Sequence, residues 1–171
     1  MLILYNIGIG IYYVLVLVAS LWNPKAARWI SGRRNWRKDL EKVFSKEDKV
    51  IWFHCASLGE FEQGRPLIEK IRAEHSEYKI LLSFFSPSGY EKRKDFSDVD
   101  HVCYLPYDTS KNARDFLKIV PVHKVFFIKY EFWYYYLTEL KKRGVPVFLV
   151  SGIFRESQPF FKWYGSIWKK M

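Results

Sequence analysis

The sequence contains few of the residues that crosslink or ligate in small proteins. Only two cysteines occur, Cys55 and Cys103, which excludes a disulfide scaffold and a zinc site built from cysteine alone. Low-complexity linkers and internal repeats are also absent. Hydrophobic residues make up 49% and charged residues 27% of the 171 residues, so intrinsic disorder is excluded for the bulk of the chain. This length supports one hydrophobic core, with room for an anchor segment.

Charge is missing altogether from residues 1–22. As a helix this segment would be about 33 Å long, which matches the hydrocarbon core of a bilayer. Basic residues follow it directly, and the positive-inside rule then places the rest of the chain in the cytoplasm. We therefore predict a single transmembrane anchor. A cleaved signal peptide, which would begin with a charged region, and a buried core helix are the alternatives.

Acidic residues are the minority, with 18 Asp and Glu against 28 Lys and Arg and a net charge of +10. Residues 23–48 form a basic segment next to the anchor, a position that favours anionic lipid headgroups. Nucleic acid is the alternative partner for such a charge. Because the sequence has no RNP-like motif, zinc finger or recognisable helix-turn-helix, we predict a membrane partner and no nucleic acid.

From residue 49 onward, short apolar runs alternate with helical patterns. This alternation predicts a Rossmann-like α/β domain with a mostly parallel sheet over residues 49–171. The predicted strands are Lys49–Cys55, Tyr78–Phe85, His101–Leu105, Val122–Ile128 and Val145–Val150. The predicted helices are Glu60–His75, Ser88–Lys94, Ser110–Ile119 (with Ser110 or Asp108 as N-cap) and Phe132–Arg143. In such folds, sites form where strands end and helices begin.

The loop after the first predicted strand carries Ser57, Gly59 and Glu60. Gly59 permits a tight turn with positive φ. Glu60 falls in the first turn of the next helix, where free N–H groups favour an ionised carboxylate. Such a carboxylate is either a general base or a helix cap. Cys55 beside this loop is interpreted as a small buried residue.

Two further loops carry candidate residues. Hydroxyls and a glycine at Ser86, Ser88 and Gly89 can hold a phosphate or sugar oxygen at a helix start, although the residues themselves favour an ordinary Ser-Pro helix start. The loop is no P-loop. Glu131 again follows a strand, as a second carboxylate for the same edge or as a cap. The four histidines, His54 among them, have no metal-ligand spacing and are interpreted as core or surface residues, so we predict no metal site.

Five ordered motifs resemble those of the 3-deoxy-D-manno-octulosonic acid (Kdo) transferases. They extend over nearly the whole chain, which makes the resemblance far more specific than any single motif. The motifs are Trp-Phe-His-Cys-Ala-Ser-Leu-Gly-Glu at 52–60, Ser-Phe-Phe-Ser-Pro-Ser-Gly at 83–89, Tyr-Leu-Pro-Tyr-Asp at 104–108, Tyr-Glu-Phe-Trp at 130–133 and Gly-Val-Pro-Val at 144–147.

The resemblance implies the N-terminal half of a two-domain GT-B glycosyltransferase at the inner membrane. It implies transfer of Kdo from CMP-Kdo to a lipid A precursor, with inversion of the anomeric centre and without a metal or other cofactor. Glu60 matches the family's base and Glu131 its second functional carboxylate. Ser57, Gly59, Ser86, Ser88 and Gly89 are the substrate-binding candidates. A different GT-B sugar transferase, or a membrane-tethered lipid-binding module without activity, would also fit the sequence.

The sequence departs from the family pattern at two places. Lys129 stands where many members have an acidic residue, and Ser-Gly-Ile-Phe-Arg at 151–155 replaces a family Asn-Ala-Arg-Leu-Ser. Family members are more than twice as long and bind the nucleotide mainly in a C-terminal domain, so we expect this chain alone to be inactive. We also predict lipid contact through the aromatic residues Phe61, Phe84 and Phe85.

Overall fold

The computed structural model describes residues 2–129, 131–153 and 162. Five parallel strands form its sheet: β1 (Val50–Cys55), β2 (Lys79–Phe84), β3 (His101–Tyr104), β4 (Val122–Ile128) and β5 (Val147–Val150). The strands lie in the order β3-β2-β1-β4-β5. The predicted Rossmann-like α/β fold with a parallel sheet is therefore confirmed.

Helices cover both faces of this sheet. They are α4 (Leu58–Glu74) and α5 (Pro87–Arg93) on one face, and α6 (Ser110–Ile119) and α7 (Tyr134–Lys142) on the other. All six residues of β1 are buried, and they alternate between the two cores. Val50 and Trp52 pack with α6 and α7, whereas Ile51 and Phe53 pack with α4. This arrangement explains why a strand of a doubly covered sheet has a continuous apolar sequence.

The strand order reverses between β1 and β4. The chain moves outward from β1 through β2 to β3, and then returns to place β4 on the other side of β1. The segments that follow β1 and β4 consequently diverge to opposite faces of the sheet. Open α/β sheets bind ligands in the crevice at such a switch point, at the carboxyl ends of the strands.

The uncharged N-terminal segment forms helix α1 (Leu2–Ala19). It is the one helix among the described residues that is long and apolar enough to cross a membrane. None of its residues is buried, but one side of it contacts the carboxyl edge of the sheet. Tyr13 stacks on Tyr107 with ring centroids 4.8 Å apart, and Tyr12 packs edge-on against Trp29 at 5.8 Å.

The basic segment contains two helices that the sequence patterns did not predict, α2 (Pro24–Ser31) and α3 (Trp36–Val43). Trp36 and Leu40 of α3 are buried in the core on the α6 side. Between the helices, the buried Arg33 guanidinium lies 3.9 Å from the Trp29 ring centroid and donates to the carbonyls of Trp29, Phe85 and Leu105. Burial lowers the pKa of Arg33 to about 9. This side chain fixes the segment against the loops after β2 and β3.

The helix caps differ from the predicted ones. Thr109, not Ser110 or Asp108, is the N-cap of α6, and its hydroxyl accepts from Asn112 N–H at 3.2 Å. The Asp108 carboxylate instead accepts from the N–H groups of Tyr135 and Tyr136 at the start of α7. The prediction of Asp108 as the cap of α6 was wrong because its carboxylate binds the first N–H groups of α7, which lies far away in the sequence.

The predicted lipid contact is wrong for Phe61 and Phe84. Both side chains have 0% exposure, because they lie in the core between the sheet and α4. Phe85 is half-buried and packs on Tyr12 and Trp133. Sequence position alone placed these residues near loops, but the alternation of β2 turns Phe84 inward and Phe85 toward α1.

Candidate functional site

The two predicted carboxylates come together at the switch point. Glu60 lies in the first turn of α4, directly after β1, and Glu131 follows β4. β1 and β4 are neighbouring parallel strands, with His54 opposite Phe127 in the register. The charge of Glu131 acts on Glu60 and raises its pKa. The structure thus places both carboxylates at one edge of the sheet, as the sequence predicted.

Glu60 has a capping contact as well as basic character. Its carboxylate accepts the backbone N–H of Ala56, so the cap interpretation describes one of its bonds. Partial burial nevertheless raises the pKa of Glu60, and the Glu131 charge raises it further, against smaller lowering effects of the Ala56 N–H, His54 and Lys129. The net direction is opposite to the predicted helix-terminus effect. A raised pKa makes a carboxylate a stronger general base near neutral pH.

Glu131 is held by side chains rather than by a helix terminus. Its Oε2 accepts from Trp133 Nε1 at 2.9 Å and lies 3.4 Å from His54 Nε2. Helix α7 starts only at Tyr134, with Trp133 as N-cap residue. The cap interpretation of Glu131 is therefore wrong. The side chain is largely buried, with 15% exposure, and lies at the end of the crevice.

His54 connects this site to the core of the sheet. Its side chain has 0% exposure, and its Nδ1 lies 2.8 Å from Ser83 Oγ, which also accepts from Trp52 Nε1 at 2.8 Å. The interpretation of His54 as a core residue is confirmed by this burial, but its contact with Glu131 was missed. Its position at the last-but-one residue of the first strand was the available signal.

Lys129 directly follows β4, in the Glu131 loop, and has a strained backbone conformation. Its φ of 64° is in the left-handed region, which costs a non-glycine residue roughly 1–2 kcal/mol. Its N–H donates to Val150 O at 2.8 Å, and its positive charge lowers the pKa of Glu60. Such strain is concentrated at functional sites. The residue noted as a departure from the family is thus part of the electrostatics of this site.

Ser57 and Gly59 lie beside Glu60. Ser57 is the N-cap residue of α4, but its side chain makes no capping hydrogen bond. The predicted positive φ of Gly59 is wrong, since Gly59 is a helical residue of α4. A Cβ at Gly59 would have no atom within 4 Å. Gly59 therefore leaves open, exposed space on the first turn of α4, the turn that also carries Glu60.

Ser86, Ser88 and Gly89 begin α5. Ser86 is its N-cap, with its hydroxyl 3.2 Å from Ser88 N, as the Ser-Pro interpretation predicts. Ser86 N–H also donates to Ala56 O at 2.8 Å, which ties this loop to the Glu60 loop. Ser88 is exposed, whereas Gly89 is buried against the ring of Phe84. The hydroxyls of Ser86 and Ser88 are the side-chain polar groups of this turn, and they lie within hydrogen-bond distance of each other.

Two of the cavities include residues of this site or its contacts in their linings. One of about 350 Å³ lies between α1 and the strand ends. It is lined by Ile9, Tyr12, Phe85, Tyr107 and Trp133. The other, of about 410 Å³, includes Glu131 in its lining. Glu60 lies outside both linings and remains half-buried. The arrangement therefore combines a partly accessible carboxylate, Glu60, with a second carboxylate, Glu131, and an aromatic surface.

Comparison with known proteins finds one matching family model and several relatives of similar sequence. A family model described as 3-deoxy-D-manno-octulosonic-acid transferase (kdotransferase) matches residues 32–171. A bifunctional glycosyltransferase/methyltransferase of Fusobacterium nucleatum is 30% identical over 140 residues, which cover 78% of this chain and 22% of the relative.

Two relatives named 3-deoxy-D-manno-octulosonic acid transferase are also similar. The one from Chlamydia trachomatis serovar D is 29% identical over 119 residues, 68% of this chain and 28% of the relative. The one from Aquifex aeolicus is 32% identical over 100 residues, 55% of this chain and 28% of the relative. The chain thus spans about a quarter of the length of these relatives.

The described part of the matched region contains the sheet, the switch point and both carboxylates. Residues 154–161 and 163–171, and with them Phe154 and Arg155 of the divergent 151–155 stretch, lie outside the described residues, as does Tyr130. Because the family model matches well over half of the sequence, the chain belongs to the Kdo transferase family.

Proposed function

We propose that this chain forms the acceptor side of a glycosyltransferase that moves Kdo from CMP-Kdo to a lipid A precursor. The observation that carries the proposal is the pair of coupled carboxylates at the switch point, Glu60 and Glu131. The family membership supports the same activity in general terms. The site would operate at the cytoplasmic face of the inner membrane, with α1 as the membrane-contacting element.

Glu60 is the proposed general base. One of its oxygens would take the proton from the acceptor sugar hydroxyl while that hydroxyl oxygen attacks the anomeric carbon of Kdo. The bond between that carbon and the CMP phosphate oxygen breaks, and CMP leaves with the bonding electrons. Attack opposite the leaving group inverts the anomeric centre. The raised pKa of Glu60 supports this role, because the carboxylate then binds the transferred proton more strongly.

Glu131 is the proposed second catalytic carboxylate, which would support the transition state. Its fixed contacts with His54 and Trp133 limit its movement. The open space at Gly59 and the hydroxyls of Ser57, Ser86 and Ser88 would accommodate the substrate. Gly89 would contribute indirectly, since its packing on Phe84 sets the path of the loop.

The partners follow from the same proposal. The acceptor is a lipid A precursor, the donor is CMP-Kdo, and nucleic acid is not a partner. As the family resemblance implies, the reaction would need no cofactor and no metal ion. Kdo transfer in membranes of the source organism should therefore persist in the presence of EDTA. A loss of transfer that added Mg²⁺ restores would contradict the metal-independent form of the proposal.

The base assignment is tested by Glu60→Gln in the chromosomal copy, with Glu69→Gln as the matched control on the exposed side of the same helix. Membranes of the Glu60→Gln strain should lose Kdo transfer by at least about 100-fold, the usual contribution of a general base. The control should retain activity. Normal transfer with Glu60→Gln, at equal protein level, would disprove the role of Glu60.

The purified 171-residue chain provides a separate test. In the family as a whole the nucleotide site lies mainly in a C-terminal domain, so we expect no turnover of CMP-Kdo by this chain alone. Calorimetry with CMP-Kdo should likewise show no tight binding. Turnover by the isolated chain would contradict this expectation without contradicting the Glu60 assignment.

A further inference from the structure

The polar side chains of α1 all lie on one face. The helix has no charged residue, and its four side chains with a polar atom are Tyr5, Asn6, Tyr12 and Tyr13. They form two adjacent pairs that lie seven residues apart. At 3.6 residues per turn, this spacing places all four side chains within about a third of the helix circumference. All other residues of α1 are Leu, Ile, Val, Ala or Gly. The helix is thus purely aliphatic on its remaining surface.

The polar face is docked against the carboxyl edge of the sheet. Tyr5 OH donates to the Asp108 carboxylate at 2.5 Å, and Tyr135 OH donates to Asn6 Oδ1 at 2.6 Å. About two turns further along α1, Tyr12 contacts Trp29 and Tyr13 stacks on Tyr107. The contacts extend from residue 5 to residue 13, about 12 Å along the helix axis. They therefore hold α1 lengthwise on the domain.

The opposite face of α1 is exposed. Ile3 has 74% exposure, Leu4 70% and Leu15 61%, and further aliphatic residues continue the same surface. These are Ile7, Ile11, Val14, Leu17 and Val18. A soluble protein does not expose a continuous aliphatic surface of this size without a partner. The absence of any charge from this face favours lipid hydrocarbon as that partner.

A crossing of the bilayer is incompatible with these contacts. If α1 crossed while docked, Asp108 and the Lys111 and Arg114 side chains beside α1 would enter the hydrocarbon, at a cost of several kcal/mol. If α1 crossed after undocking, Asn6 would lose its partner, and Tyr12 and Tyr13 would lie near the middle of the span. Tyrosines of spanning helices prefer the interfaces.

We propose that α1 lies in the plane of the membrane, with its aliphatic face in the lipid and its tyrosine and asparagine face clamped to the carboxyl edge of the sheet. Length and composition alone predicted a single crossing, which the docked contacts do not favour. In the proposed arrangement both ends of α1 are on the same side of the membrane as the sheet. The Glu60 and Glu131 edge then lies close to the lipid surface.

Crosslinking in vesicles tests the docked position. The full chain, reconstituted in vesicles of phosphatidylethanolamine and phosphatidylglycerol, carries Asn6→Cys and Tyr135→Cys and is treated with a short bis-maleimide. Rapid intramolecular crosslinking is expected. Leu4→Cys with Tyr135→Cys is the matched control at the same level on the exposed face, and should crosslink at least tenfold more slowly. The native Cys55 and Cys103 are buried, so the parent chain is the reagent blank.

Labelling from one side of the membrane shows whether α1 lies in the membrane plane or crosses the bilayer. Leu2→Cys and the domain reference Lys70→Cys, separately introduced, are labelled with a membrane-impermeant maleimide in sealed vesicles. Equal labelled fractions at both positions are expected. Labelling of Leu2→Cys only after detergent lysis, with Lys70→Cys labelled from outside, would show a crossing and overturn the proposal. Failure of the chain to float with the vesicles, or equal crosslinking rates for the Asn6 and Leu4 variants, would overturn it as well.

Discussion

His54 Nε2 lies 3.4 Å from Glu131 Oε2, and this contact joins the core of the sheet to the candidate site. The single N–H of Trp133 is directed at both atoms, 3.2 Å from His54 Nε2 and 2.9 Å from Glu131 Oε2. These contacts with His54 and Trp133 restrict the orientations that the Glu131 carboxylate can take.

Ser83 is predicted to be important for stability although it lies outside the site. Ser83→Ala removes the acceptor of Trp52 Nε1 and the partner of His54 Nδ1. A buried donor left without a partner costs about 1–3 kcal/mol. Urea unfolding should show a loss of this size, whereas the exposed Ser97→Ala should change the unfolding free energy by less than about 0.5 kcal/mol. Equal stability of both variants would contradict the network.

The contribution of Glu60 to the free energy of unfolding is predicted to fall as pH rises. Its pKa is raised in the folded protein, mainly by burial and then by the Glu131 charge, so the folded state favours the protonated form more than the unfolded state does. The associated stability is complete below about pH 4, near the pKa of an unfolded glutamate, and is lost as pH rises through the raised folded pKa.

Glu60→Gln stays neutral at every pH, so its melting temperature should exceed that of the parent chain at about pH 8 and match it near pH 4, the range set by the unfolded and raised folded pKa. Thermal unfolding across this range measures the difference. Glu69→Gln, on the exposed side of α4, serves as the control and should show a smaller change with pH. A parent chain that gains stability relative to Glu60→Gln as pH rises would reverse the assigned pKa direction.

Lys129 is predicted to carry backbone strain. Lys129→Gly should stabilise the domain by about 1 kcal/mol, because glycine adopts the φ of 64° at this position without a Cβ clash. Lys124→Gly in the extended part of β4 is the control, and it should destabilise by about 0.5–1 kcal/mol. Denaturant unfolding of both variants measures the contrast. Destabilisation by Lys129→Gly would argue against stored strain at this site.

Alanine substitutions of Gly89 and Gly59 are predicted to change the stability of the domain in opposite directions. A Cβ at Gly89 would overlap with the Phe84 ring, so Gly89→Ala should destabilise by about 1–3 kcal/mol. A Cβ at Gly59 meets open space in a helix, so Gly59→Ala should stabilise by up to about 1 kcal/mol. Because Gly59 adjoins Glu60, the same variant should lower Kdo transfer. Matched thermal unfolding curves of the two variants would refute this contrast.

Most strands could be predicted from the sequence because their apolar runs are long and uninterrupted. The predicted β4 and α6 have the observed bounds, and β1 differs by one residue. The helices α2 and α3 were missed, since a charge-rich segment was assigned to the membrane surface. Trp36 packs into the core on the α6 side, and Trp29 packs beside the buried Arg33, which donates to three backbone carbonyls.

The candidate site was predicted in part. Strand order places Glu60 and Glu131 at one edge, which the alternation of strands and helices made predictable. The contact of His54 with Glu131 was not predictable, because it depends on which side of β1 the strand β4 occupies. Asp108 likewise binds the start of α7, although 27 residues separate it from Tyr135. Local sequence spacing contains no information on such contacts.

The sequence by itself determined the parallel α/β fold, the uncharged first helix and the loops that carry the two glutamates, because each depends on local periodicity and on residues close in the chain. The tertiary structure alone decided the charge balance around Glu60, the contacts of Glu131 and the face of α1 that meets the domain. These features arise from atoms distant in the sequence, and their energies depend on burial and distance, which exist only once the chain is folded.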